Sequence, residues 1–247
     1  MKRIITVALC LLLVAALLGA CGDEVVSTHT TSTTSATQSS TKGESETVSY
    51  EPKSTEPLIS MDDVPAQDLS KVDADYQSLA PVAGEEVAVM HTNYGDISFK
   101  FFPEAAPMAV ANFKALANAG RFDSTIVHRI FHPETSGISG IQAGDYTKFN
   151  GTGGASAFGD YFGYEITPYL SNIRGSVAMA HSSLPNSNGS QFYINQGDNS
   201  VLDGGYTIFA QVYEGLDVVD AIYAVETDAY ESPTTDIIVR SIEITTY

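Results

Sequence analysis

The chain has 247 residues, 43% of them hydrophobic, and a formal charge of −18 set by 30 acidic against 12 basic side chains. So few Lys and Arg exclude the clustered positive charge that a phosphate backbone requires, and no nucleic-acid partner is expected. The two cysteines, Cys10 and Cys21, both fall near the N-terminus. With Cys10 inside a removable leader no intramolecular disulfide can form, so the fold must rest on its core.

Lys2 and Arg3 precede an apolar stretch from Ile4 to Leu18, followed by Leu18-Gly19-Ala20-Cys21. The stretch is short for a spanning helix of about 20 residues, and small residues stand before the cysteine, which reads as an export signal over residues 1–21. The Leu-Gly-Ala-Cys arrangement resembles a bacterial lipobox. It implies a diacylglycerol on Cys21 and a protein anchored to the cell membrane on its extracytoplasmic side. Residues 22–85 open with STHTTSTTSATQSSTKGES and continue through acidic, Pro-containing segments without a sustained apolar period. Such a composition buries too little surface to offset ordering entropy, so a flexible linker is expected there, with local docking at Leu58, Ile59 and Met61.

A folded domain is expected over residues 86–247. EVAVMHTNYGDISFKFF alternates as two strands around an Asn-Tyr-Gly-Asp turn. PEAAPMAVANFKALANAG predicts a helix with Pro107 at its first position, Val110, Phe113 and Leu116 on one face, and Gly120 as terminator. Short β-like runs follow: STIVHRI, SGIQAG, GSVAMA, SQFYIN, YTIFAQVYE and DIIVRSIEIT, with a second helix over Leu216 to Ala224. Many short strands and two helices predict a mainly β fold, a closed antiparallel barrel with helical caps, and not alternating βαβ units.

Three catalytic chemistries are set aside. His128 and His132 have the i, i+4 spacing of a zinc pair, but they sit in a β-branched run before Pro133 and would not share a helical face, so no metal is expected. NGTGGASAFG lacks the Gly-Lys-Ser/Thr ending of a phosphate loop. No Gly-x-Ser-x-Gly elbow and no free thiol are present for covalent catalysis, and no cofactor is implied. What remains is Arg129 in VHRI, Gln142 in IQAGD, the Met179-Ala180-His181 segment, Gln191 with Tyr193, and the VLDGGY turn that holds Leu202 and Tyr206.

HRI, IQAGD, NGTGG, GSVAMA, PNSNGSQFYI and LDGGYTIFAQVYEGLDVVDAI resemble, in this order, the cyclophilin-type peptidyl-prolyl isomerases, from about Val87 to the C-terminus. The resemblance implies an eight-stranded barrel closed by two helices, with a shallow outer groove for proline-containing segments of polypeptides. A monomer is expected. Arg129 would be the catalytic arginine and Gln142 would hold its guanidinium. Gln191 and the main chain of Ala180 and His181 would bind substrate backbone, with Tyr193, Leu202 and Tyr206 lining the site. Departures stand beside these matches. Ser139 occupies the place of a usual pocket phenylalanine, Gly140 that of a frequent methionine, and IFHPETSGISGI is longer than the family's link, with Phe131, Ile138 or Ile141 available to refill the pocket. Tyr193 stands for a frequent phenylalanine, Tyr206 for a histidine and Val201 for a tryptophan, the last implying weak cyclosporin binding. The expected function is isomerisation of Xaa-Pro bonds in exported proteins. The departures keep open a proline-segment binding module or chaperone with little turnover.

Overall fold

A computed structural model describes residues 49–247. The leader, Cys21 and the Ser/Thr tract lie outside the described residues. Strand β1 (Glu86–Thr92) and strand β2 (Gly95–Phe101) pair antiparallel around the anticipated turn, where the Thr92 hydroxyl accepts the Tyr94 N–H at 3.0 Å. Gly95 is required there: its φ is +134°, and a Cβ would stand 2.9 Å from Val218.

Helix α1 (Pro107–Asn118) begins with Pro at its first turn but has no capping side chain at Ala106. A distant residue does that work. The Glu165 carboxylate accepts the N–H groups of Met108 and Ala109, each at 2.9 Å, which satisfies two of the orphan donors at the positive end of the helix. The buried face carries Phe113 into the barrel, with ring centroids 5.1–5.5 Å from those of Phe99, Phe122, Phe192 and Phe209. Truncating such a ring to alanine costs about 3–5 kcal/mol.

The remaining elements are β3 (Thr125–Ile126), β4 (Arg129–Phe131), α2 (Pro133–Ser136), β5 (Gly140–Ala143), β6 (Ser176–Met179), β7 (Phe192–Asn195), β8 (Ile208–Glu214), α3 (Leu216–Tyr223) and β9 (Ile238–Thr246). The hydrogen-bonded order is β3-β9-β1-β2-β8-β6-β7-β5-β4, antiparallel throughout. Its two edge strands are consecutive in the chain. The joint between them switches ladders, since the Val127 N–H reaches Ile237 on the β9 side at 2.9 Å and the His128 N–H reaches Gln142 on the β5 side at 3.1 Å. The sheet therefore comes round on itself through a covalent link. This corrects the expected count of eight strands to nine among the described residues, because the STIVHRI run divides at Val127 and His128. The helix count rises as well, by the four-residue α2 inside the lengthened link.

The linker expectation is corrected for its second half. From Tyr50 onward the chain is a strap laid on the barrel. The Tyr50 hydroxyl donates to Asp236 at 2.8 Å, the Lys53 N–H to Tyr146 at 3.1 Å, and the Leu58 N–H to Ala157 at 2.7 Å. Ile59 and Met61 pack on the main core, Val72 is buried beside Phe102, and the buried amide of Gln77 bonds both Ser171 and Gln211. The anchors are single residues at irregular intervals, so each docks without any helical or strand period.

Candidate functional site

Arg129 opens β4 and lies directly across from Gln142 in β5, so the two side chains emerge on the same face of the sheet. They do not bond each other. The guanidinium turns to Glu231, with Nε at 2.7 Å and Nη2 at 2.6 Å from one carboxylate oxygen, and Nη2 also donates to the Ser136 hydroxyl at 3.2 Å. Nη1 has no hydrogen-bond partner among the described residues, and the side chain is 42% exposed. The guanidinium carbon sits 5.4 Å from the centre of the Phe131 ring, a cation–π contact that fixes its tilt.

Gln142 instead donates its amide to the Gln191 carbonyl at 2.8 Å, and Gln191 donates to the carbonyls of Gly151 and Gly153, each at 2.9 Å. This corrects the expectation that Gln142 grips the arginine. Both ends of the Gln191 amide are engaged with the protein, though Gln191 still lines a groove with Gln142, Thr152, Tyr161, Ala180 and His181. The N–H of Ala180 is taken by the Gln191 carbonyl at 2.9 Å, so that donor is not free for a substrate backbone. His181 stacks on Tyr206 with centroids 4.3 Å apart, and its two ring nitrogens face the carbonyls of Ser182 and Gly205.

The glycine-rich loop holds Gln191 from below, and an internal anion organises it. Asp145 accepts N–H groups from Thr147, Lys148, Asn150, Gly151 and Gly153 at 2.9–3.2 Å. Burial pushes its carboxyl up, but the backbone donors outweigh that and hold it below the usual carboxylate range. The loop thus wraps its own carboxylate. Beneath it His128 is buried, and among the described residues neither ring nitrogen meets hydrogen-bond geometry, although the Gln191 side chain is near enough to act on its charge. Desolvation drives its pKa down to about 4 against the pull of Asp145. His132 lies apart, with its ring 4.6 Å from that of Tyr223.

Beside the guanidinium lies an apolar cluster in which Phe131, Tyr193 and Ile208 are buried and Ile138, Ala180, Leu202 and Tyr206 are partly exposed. Tyr193 is edge-on to both Phe131 and Tyr206, and its hydroxyl reaches Asn172 at 2.8 Å. Burial pushes that phenol far up, so it stays a neutral wall residue. The Ser139 question resolves here. Ser139 is buried, and its main chain is clasped on both sides by Asn199. Phe131 takes the ring position, and Gly140 makes room for it, since a Cβ at Gly140 would come within 2.7 Å of the Phe131 ring and 2.6 Å of the Ile194 carbonyl. Of the three refilling candidates, Phe131 and Ile138 join the cluster, while Ile141 faces the main core.

Sequence reading therefore found Arg129, Tyr193, Leu202, Tyr206 and Gln191 together at one face, but it missed Glu231, Thr135 and Ser136. The only signal they offered was an acid and two hydroxyls inside segments read as loop.

A barrel with a half-exposed arginine beside an apolar cluster, flanked by a glutamine-lined groove, is a surface built for a polypeptide segment, and the comparisons give the family. Residues 87–244 match the family model described as "Cyclophilin type peptidyl-prolyl cis-trans isomerase/CLD", and the chain belongs to that family. It is 47% identical over 149 residues to peptidyl-prolyl cis-trans isomerase 9 of Schizosaccharomyces pombe, covering 60% of this chain and 23% of that protein. It is 39% identical over 158 residues to peptidyl-prolyl cis-trans isomerase CYP18-1 of Arabidopsis thaliana, covering 63% of this chain and 93% of that one. A crystal structure of a Cryptosporidium parvum cyclophilin-type isomerase, determined in the presence of the dipeptide Ala-Pro, is similar with a TM-score of 0.60 and 36% identity, over 65% of this chain and 99% of that one. The chain spans about a quarter of the fission-yeast relative and nearly all of the Arabidopsis one.

Proposed function

We propose that this protein catalyses cis–trans isomerisation of Xaa-Pro bonds, and that it acts on exported polypeptides from a lipid anchor at Cys21 on the outer side of the cell membrane. The isomerase reading is supported chiefly by one observation: Nη1 of Arg129 has no hydrogen-bond partner among the described residues, and the guanidinium stands beside an apolar cluster suited to a proline ring. The envelope location is supported by the charged start, the apolar stretch and the Leu-Gly-Ala-Cys run.

Rotation about the imide bond is opposed by amide resonance, a barrier of about 18–20 kcal/mol, and no bond needs to break. A catalyst has only to bind the twisted state more tightly than either planar isomer. As the bond twists, the prolyl nitrogen regains its lone pair, and a fixed guanidinium N–H then gains an acceptor that the ground state lacked. Shortening tens of seconds to milliseconds asks for a factor of about ten thousand, roughly 5.5 kcal/mol, within reach of one charge-assisted hydrogen bond and a clamped ring acting together.

The reading is tested by following cis-to-trans conversion of a proline tetrapeptide with the purified protein and with Arg129→Ala. Acceleration by the first and near-baseline rates with the second are expected; two traces that overlay the uncatalysed control would overturn it. A second reading, a proline-segment binder with little turnover, is favoured by the way Phe131 and Ile138 already fill the cluster. Peptide binding without acceleration would select it. For the anchor, Cys21→Ser is expected to move the protein from the membrane to the soluble fraction, and retention on the membrane would count against a lipid at this position.

A further inference from the structure

Glu231 lies far from the arginine in sequence, in the loop between α3 and β9, yet both of its carboxylate oxygens are held at the site. One oxygen takes both Nε and Nη2 of Arg129, and the other accepts the hydroxyls of Thr135 and Ser136 from α2. Its side chain is only 12% exposed. The backbone is arranged for this contact. Glu231 has a φ of +64°, a conformation that costs a non-glycine residue about 1 kcal/mol or more, and its carbonyl accepts the Ile130 N–H at 2.8 Å, which pins the loop to β4 beside Arg129.

We propose that Glu231 is the positioning residue for Arg129, performing the role that Gln142 does not, with the added helix α2 serving to hold the Glu231 carboxylate in place. The proposal rests on Arg129 being the transition-state donor. A side-on grip through Nε and Nη2 fixes the guanidinium plane and leaves Nη1 as its nitrogen without a hydrogen-bond partner among the described residues. Rotamer freedom of a long side chain is thereby removed before substrate arrives, and the donor need not reorganise as the imide twists. It also accounts for the lengthened link between Arg129 and Gln142, whose Thr135 and Ser136 hydroxyls both donate to Glu231, Ser136 accepting from the arginine as well.

The test is a double-mutant cycle on the purified protein, with turnover and peptide affinity measured separately. Glu231→Ala is expected to lower kcat about tenfold with peptide affinity nearly unchanged, and Glu231→Gln, which retains an acceptor for the guanidinium, to recover most of that loss. In an Arg129→Ala background, removing Glu231 should have no further effect on turnover. Additive losses, or a fall in melting temperature with unchanged kcat, would mean a purely structural ion pair and overturn the proposal. A rise in kcat on Glu231→Ala would mean that the carboxylate restrains the arginine, and would overturn it too. Full activity in Arg129→Ala alone would instead remove the donor assignment on which the proposal stands, a result distinguishable from the others.

Discussion

Around Arg129 the contacts are ionic and charge-assisted, reaching Glu231 and through it Thr135 and Ser136; around Gln191 they are neutral amide bonds to Gln142 and to the carbonyls of Gly151 and Gly153. Hydrogen bonds to charged groups are roughly twice as strong as neutral ones, and breaking one strands a partly buried charge. The arginine side is therefore the rigid half, with one donor left over. The amide side can exchange one neutral bond for another at little cost, so it is suited to following the backbone of varied peptides. In the proposed function, catalysis falls to the first kind of chemistry and recognition to the second.

Four substitutions or conditions should separate these halves. The largest effect is expected from Arg129→Ala, which should lower kcat/KM about a thousandfold, roughly 4 kcal/mol of transition-state stabilisation, in the peptide isomerisation assay. A loss under tenfold would place the donor elsewhere. Asp145→Ala removes the acceptor for five loop N–H groups beneath the amide half, and should cost about 3 kcal/mol in urea unfolding while leaving the arginine half intact.

The third is a pH effect under the same loop. With the His128 pKa lowered from 6.5 to about 4 in the folded protein, the unfolded chain takes up a proton between these values that the native state refuses. Stability from this group is fully present above pH 6.5 and is lost as the pH falls toward 4, a contribution of about 3 kcal/mol. Unfolding free energies measured across that window should slope downward with acid, and His128→Gln should flatten the slope. Asp145 acts in a lower window, below its ordinary value of 3.8, because its carboxyl is held down. Smallest is Gln191→Ala, expected to raise KM for a proline peptide about tenfold, near 1.4 kcal/mol, with kcat within a few-fold. A fall in kcat as large as that of Arg129→Ala would erase the distinction between the halves.

The barrel strands and both longer helices were legible because their apolar positions repeat with the period of the element, as at Val110, Phe113 and Leu116 in α1. Arg129, Gln142, Gln191 and Tyr193 were legible through ordered motifs. Of the strap only the docking of Leu58, Ile59 and Met61 was legible, since Val72 and Gln77 are isolated anchors whose burial depends on pockets made by distant residues. Glu231 was hidden for a related reason. Its role depends on a positive φ that glycine would normally signal, and on hydroxyls some 95 residues away in the chain. The direction of the Gln142 amide was equally invisible, because the carbonyls of Gly151 and Gly153 that orient Gln191 are placed by Asp145 and not by any local pattern.

The strap also decides how the domain meets mechanical load. Tension arriving from the N-terminal side would first meet Tyr50 on Asp236, then Lys53 on Tyr146, then Leu58 on Ala157, and only after these the start of β1. Each of these contacts must give way before the pull reaches β1, so the strap stands between the barrel, with its arginine, and whatever drags on the residues before it.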